Sequence, residues 1–111
     1  VSVVQLSPTQ LSVDVFSGGS HLELRAEIQV RGVHNSVDHL LLWNMKKMVV
    51  YEITSDATHL RVVASFPCEA ESAVLHSSVY SIRVAVFKSF LKGTVKQTLN
   101  FTESGEPIDL D

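Results

Sequence analysis

Residues 40–53 read LLLWNMKKMVVYEI. The stretch is almost wholly apolar and is broken once, at Asn44-Met45-Lys46-Lys47. An amphipathic helix needs a polar face recurring every three to four positions, and Leu40-Leu41-Leu42-Trp43 offers none. A membrane helix needs roughly 18 to 20 uninterrupted apolar residues, more than any stretch of this sequence supplies. Met48-Val49-Val50-Tyr51-Glu52-Ile53 is rich in β-branched and aromatic residues, which fit a pleated surface. Two short apolar runs joined by about four mostly polar residues read as a β-hairpin. Asp38-His39 leads into it and Thr54-Ser55-Asp56 leads out.

The same pattern extends in both directions. Gln10 to Phe16 alternates polar and apolar residues, as a half-buried strand does. Ser17-Gly18-Gly19-Ser20 reads as a turn, and His21 to Val30 alternates again until Arg31-Gly32. Downstream, His59 to Phe66 reads as a strand stopped by Pro67. Ser72 to Leu75 is a short strand. Ser78 to Ile82 and Arg83 to Phe87 follow as two more. Gly93 marks a turn, Thr94 to Phe101 alternates, and Ser104-Gly105-Glu106-Pro107 turns the chain into Ile108-Asp109-Leu110. The total is nine or ten short strands about 8 to 12 residues apart with no helix, the spacing of sandwiches, barrels and propellers. Residues 38–66 and 77–101 repeat one order of strands and turns. A repeat of roughly 40 residues with four strands per unit is the mark of a propeller blade.

With 111 residues, 45% of them apolar, the chain is long enough for a core. A net charge of −3, spread without blocks of one sign, argues against a nucleic-acid partner, which needs a clustered basic face. The chain opens at Val1 and closes at Asp111 on an unfinished pattern, so residues 1–111 are expected to be a propeller segment truncated at both ends. A propeller needs at least about four blades to close, and this length holds two to three. Left open, such a piece exposes strand edges that favour aggregation.

Chemistry-bearing residues are sparse. Cys68 stands alone, so no disulfide forms within the chain. Its neighbour Glu69 should raise the thiol pKa, which suits a packed thiol better than a nucleophile. The sequon Asn100-Phe101-Thr102 carries no weight without a secretory context. Five histidines, His21, His34, His39, His59 and His76, lack the close spacing of zinc ligands and are expected at strand ends and turns. No G-x-S-x-G elbow occurs, and serines such as Ser77-Ser78 fit turns where they bond locally. Glu69 and Glu71 fall two apart and read as solvated rather than as a catalytic pair. Gly18-Gly19 lacks the lysine and helix of a phosphate loop. The expectation is therefore no catalytic, cofactor-binding or metal residue and no enzyme. Met45-Lys46-Lys47-Met48 and Lys88-Ser89-Phe90-Leu91-Lys92 are two basic, apolar tips, each either a contact for a partner or a membrane surface or, as the favoured reading, an ordinary exposed turn with one apolar anchor. Phe87 and Phe90 are expected in or near the core.

Residues 93–104, GTVKQTLNFTES, followed by Gly105-Glu106-Pro107 and Ile108-Asp109-Leu110-Asp111, resemble the WD40 region of intraflagellar transport complex A subunits of the one-forty class. Asp38-His39 through Trp43-Asn44 and Lys46 through Glu52 resemble an upstream blade of that region. Val4 to Leu11 and Arg31-Gly32-Val33 also fit. The usual Gly-His and Trp-Asp dipeptides are missing, so the blades are degenerate.

The resemblance implies an all-β fold, a partial β-propeller of two to three degenerate, four-stranded antiparallel WD40-like blades. It also implies a coat-protein-like parent, with propellers ahead of a helical solenoid. The implied role is a non-catalytic scaffold for protein–protein interaction, serving retrograde transport, cargo entry into cilia and cilium assembly. The implied partners are other complex A subunits and ciliary cargo proteins, with no nucleic acid and no direct membrane span. The implied location is the ciliary base and axoneme and the cytoplasm. The alternative is a free-standing β-sandwich binding domain, immunoglobulin-like in outline but without the Cys…Trp…Cys pattern.

Overall fold

The computed structural model describes residues 2–15, 20–36, 38–54, 59–77, 81–91, 93–102 and 104–108, with the side chains of residues 20 and 90 left aside. Most of the expected turn at 17–20, the lead-out at 55–56, the strand start at 78–80, Lys92 and the end of the final strand at 109–111 lie outside the described residues. Ten strands are present among the described residues: β1 (Ser2–Ser7), β2 (Gln10–Val15), β3 (Ser20–Arg25), β4 (Gly32–Asn35), β5 (His39–Trp43), β6 (Lys47–Ile53), β7 (Leu60–Pro67), β8 (Ser72–Ser77), β9 (Ser81–Phe90) and β10 (Gly93–Thr102). They form three sheets in which every strand pairs antiparallel with its neighbour in sequence: β1-β2-β3, β4-β5-β6-β7 and β8-β9-β10. This is a partial β-propeller. The sequential meanders replace the sandwich alternative, whose Greek-key connections would send strands from one sheet to another. β4 opens at residue 32 and β8 at residue 72, which matches the repeat of roughly 40 residues but starts each unit about six residues earlier than the sequence suggested.

Burial explains the unbroken apolar run at residues 40–43. Strand β5 is buried at every position, His39 to Trp43. Its sheet is the middle layer of a stack, and successive side chains feed opposite faces. Leu40 and Leu42 enter a core shared with Leu11, Val13 and Leu24 of the first sheet. Leu41 and Trp43 enter a second core with Leu75, Ile82 and Val84 of the third. A strand buried on both faces loses the alternation of a half-exposed one and reads as a continuous apolar run. Each fully buried leucine contributes about 1.5–3 kcal/mol of transfer free energy.

Asn44 closes the β5–β6 hairpin. Its side-chain oxygen accepts from the backbone N–H groups of Lys46 and Lys47, both at 2.8 Å, and its own N–H donates to the Lys47 carbonyl at 3.0 Å. The side chain thus replaces a strand-like partner for two turn amides, which is why Asn breaks the apolar run here.

Several boundaries depart from the sequence reading. The strand expected over His21–Val30 ends at Arg25. Ala26, Ile28 and Val30 still alternate into the first core while the chain crosses to the next sheet. Alternation there reports a chain that bends at Glu27 and Ile28 over a core, tied by the Ala26 and Val30 N–H groups to the Thr9 and Pro8 carbonyls, rather than a strand of a sheet. Arg83 does not divide two strands, because β9 runs unbroken from Ser81 to Phe90 with Arg83 on its exposed face. β1 and β4 were not anticipated. β1 is mostly exposed, and β4 has only four residues, so neither carries a periodic signal.

In the β6–β7 ladder Val50 pairs with Ala64 and Tyr51 with Val62, so Val63 is an extra, bulged residue. The turn after β10 packs there. Gly105 has φ +89°, and a Cβ on it would overlap the Val63 carbonyl. From this turn the chain starts back along β10, with Pro107 bridging Phe101 and the Ile108 N–H donating to Asn100 at 2.8 Å.

Candidate interaction surface

Two polar arrangements join the second and third sheets. The first lies where β4 meets β8. His34 Nδ1 accepts the Leu75 backbone N–H at 3.0 Å, satisfying a donor on the edge of β8. Beyond it, the Ser36 and Ser77 hydroxyls bond at 2.8 Å. The Ser77 hydroxyl also donates to Asp38 Oδ1 at 3.1 Å, and His39 Nδ1 donates to the same oxygen at 2.8 Å. Ser77 therefore is not the locally bonded turn serine that the sequence suggested; it ends a strand and reaches across 39 residues of chain. Ser78 lies outside the described residues.

Asp38 is held below the ordinary carboxyl value. Its partial burial acts against ionisation, but the hydrogen bond and charge of His39 and the Ser77 hydroxyl outweigh that. Ser, Asp and His are thus together, yet in an order unsuited to hydrolysis. A nucleophilic serine needs the imidazole between hydroxyl and carboxylate. Here the carboxylate stands between the other two, so no imidazole receives the serine proton, and the lowered pKa of Asp38 makes it a poor base for that task. The cluster ties two sheets together.

The remaining histidines are dispersed. His21 on β3 meets Asp14 at 2.7 Å on the surface, His59 precedes β7, and His76 lies within β8. Placing His34 and His76 inside strands departs from the expected strand-end positions. Among the described residues no three His, Cys, Asp or Glu side chains gather as a metal site would require. Glu69 is exposed in the β7–β8 connection. In the sequon, Asn100 lies within β10 and faces the Arg83 side chain.

The second arrangement is a groove of about 500 Å³ between the two sheets. The β5–β6 turn contributes Met45 and Lys46, the end of β7 contributes Phe66, and Cys68 follows it. Lys88 of β9 and Leu99 of β10 form the opposite wall. Phe66 stacks at 5.2 Å, tilted by 33°, on the buried Phe101 ring, which fixes the apolar floor. The Cys68 N–H donates to the Lys46 carbonyl at 3.1 Å and pins the turn to the wall.

The groove brings parts of both basic tips together. Each tip is narrower than its sequence suggested. Met48 is a fully buried core residue, and Lys47 opens β6 with its ammonium 3.5 Å from Glu27. In the second tip, Lys88 to Phe90 belong to β9, and Leu91 is fully exposed. Phe87, expected near the core, is half-buried on the far face of the third sheet; the side chain of Phe90 lies outside the described set.

Burial pushes the Cys68 thiol above its ordinary value; Lys88 opposes the rise and Glu69 adds to it. The direction agrees with the sequence reading, but desolvation rather than the neighbouring carboxylate is the main cause. No signal in the sequence announces the groove, because its walls come from four elements spread over more than 50 residues.

Among the described residues no helix is long and apolar enough to cross a membrane. A family model described as the IFT140 second beta-propeller matches residues 1–111. Together with the three successive antiparallel sheets, that match places this chain in the IFT140 second beta-propeller family.

Proposed function

We propose that this chain is a non-catalytic platform for protein–protein interaction within an intraflagellar transport complex A subunit, acting in retrograde ciliary transport and in cargo entry into cilia. The family match over residues 1–111 carries this reading. The layered architecture supports it, since three stacked sheets, the middle one buried on both faces, make a rigid base from which loops and grooves are presented. The partners in this reading are other complex A subunits and ciliary cargo proteins, met at the ciliary base, along the axoneme and in the cytoplasm.

The reading includes a closed propeller of which residues 1–111 are one segment. Its support is the far face of the third sheet, where Val74, Ala85 and Phe87 form an apolar row flanked by Arg83 and Lys96. A further blade would cover that face. The test replaces Leu41 by Asp in the full-length subunit, which breaks the second core. Loss of complex A subunits from the purified assembly, with cargo stalled at ciliary tips, is the expected result. Unchanged assembly and unchanged return transport would overturn the proposal.

A further inference from the structure

We infer that the groove between the β5–β6 turn and the β9–β10 hairpin is a docking site for a short acidic segment of a partner protein, anchored by one large apolar side chain. The inference rests on the platform reading above and names the surface that serves it.

Charge is the first argument. The chain as a whole carries −3, yet the groove presents two ammonium groups, Lys46 and Lys88, against one carboxylate, Glu69. Lys46 makes no ion pair with any described residue, whereas its neighbour Lys47 is engaged by Glu27. The Lys88–Glu69 pair is long, 4.0 Å, and Glu69 is well exposed, so it holds Lys88 weakly. The groove is therefore a local positive site on an acidic chain, complementary to a negatively charged segment.

Shape and lining are the second argument. Met45, Phe66 and Leu99 make one apolar surface inside the cationic rim. A volume of about 500 Å³ accommodates one large side chain with its flanking backbone. Apolar centre and charged rim is the anatomy of a protein interface rather than of an ion site. Met45 adds a flexible, polarisable side chain at the mouth, suited to moulding around an aromatic or aliphatic anchor.

The experiment uses the full-length subunit. The probe is a short fluorescein-labelled peptide with a central phenylalanine flanked by glutamates; its lysine-flanked counterpart is the control. The glutamate peptide is expected to bind and the lysine peptide not to. Combining Lys46→Glu with Lys88→Glu should weaken binding by about tenfold or more. Arg61→Gln, an exposed residue at the end of β7 away from the groove, should change it by less than about twofold. A readout free of any variant comes from Cys68, since an occupied groove should slow modification of this thiol by N-ethylmaleimide, followed in the digested wild-type protein.

Binding of both peptides alike, an equal loss with Arg61→Gln, or undiminished Cys68 modification at saturating glutamate peptide would each overturn the inference. So would binding to vesicles of phosphatidylserine and phosphatidylcholine through Lys46 and Lys88 with no peptide binding, which would make the partner a membrane. Recovery of complex A subunits with the wild-type protein is scored separately. Its failure counts against the platform, whereas peptide binding decides the groove.

Discussion

Gly32 lies directly opposite Trp43 in the β4–β5 ladder, and the Trp43 indole occupies the space where a side chain on Gly32 would stand. Trp43 is nearly buried in the second core, so the ring has little room to yield. Gly32→Ala should destabilise the propeller by about 1–3 kcal/mol, the usual cost of overpacking. Replacing Trp43 by Leu in the same protein should recover part of that loss, because the smaller side chain vacates the contested space. Thermal melts of the two single variants and the double variant decide the point. A Gly32→Ala protein that melts with the parent would show that the indole moves aside freely.

Leu41 and Leu42 are adjacent in the chain and fully buried, but they belong to different cores. Each truncation to Ala should cost about 2–5 kcal/mol. Neighbouring residues usually couple when changed together. These two should not, because the sheet separates the cavities they leave. The double variant is expected to equal the sum of the singles within about 0.5 kcal/mol. Denaturant titration of the four proteins measures the coupling, and a value above about 1 kcal/mol would mean that the cores communicate through the sheet.

The unequal legibility of the fold follows from the same layering. Leu40 to Trp43 announced a strand because double burial removes every polar position. Thr94 to Phe101 announced one because its polar and apolar residues alternate. β1 was silent because most of its residues face solvent, Val4 and Leu6 among them. Ala26 to Val30 gave a false strand, since these residues face a core while the backbone bends and bonds to the β1–β2 turn rather than to a neighbouring strand. The groove was half legible. Lys46 and Lys88 each drew notice as parts of basic tips, but their convergence depends on how two sheets stack, which no local pattern encodes. The Asp38–Ser77 bond is long-range in the same way.

Asp38 gives the seam between sheets a pH dependence. Its folded pKa lies below the ordinary 3.8. A depressed carboxyl stabilises the folded state fully above its unfolded value and loses that contribution as pH falls through the folded value. The seam should therefore hold at neutral pH and weaken below about pH 4. Asp38→Asn removes this titration and should flatten the acid limb of a plot of Tm against pH. Ser77→Ala should flatten it less, since His39 remains. Parallel acid limbs for all three proteins would remove Asp38 from the account.

Gly105 ties the end of β10 to the bulge in β7, with its α-carbon against the Val63 carbonyl. Two penalties meet in Gly105→Ala. A side chain at φ +89° is strained, at about 1–3 kcal/mol, and the new methyl collides with backbone rather than with a movable side chain. The turn is braced by Thr102, whose N–H donates to the Glu106 carbonyl at 2.8 Å, and whose carbonyl accepts from Gly105 at 2.9 Å. Displacing Gly105 should loosen both bonds before the rest of β10 feels the change. Hydrogen exchange should then accelerate first at Thr102 and Gly105, while the amides of β5 and β6 stay protected. Because Phe101 adjoins this turn and supports Phe66 beneath the groove, Gly105→Ala should also weaken acidic-peptide binding with Lys46 and Lys88 untouched. Uniform exchange across all three sheets would show instead that the turn unfolds only with the whole propeller.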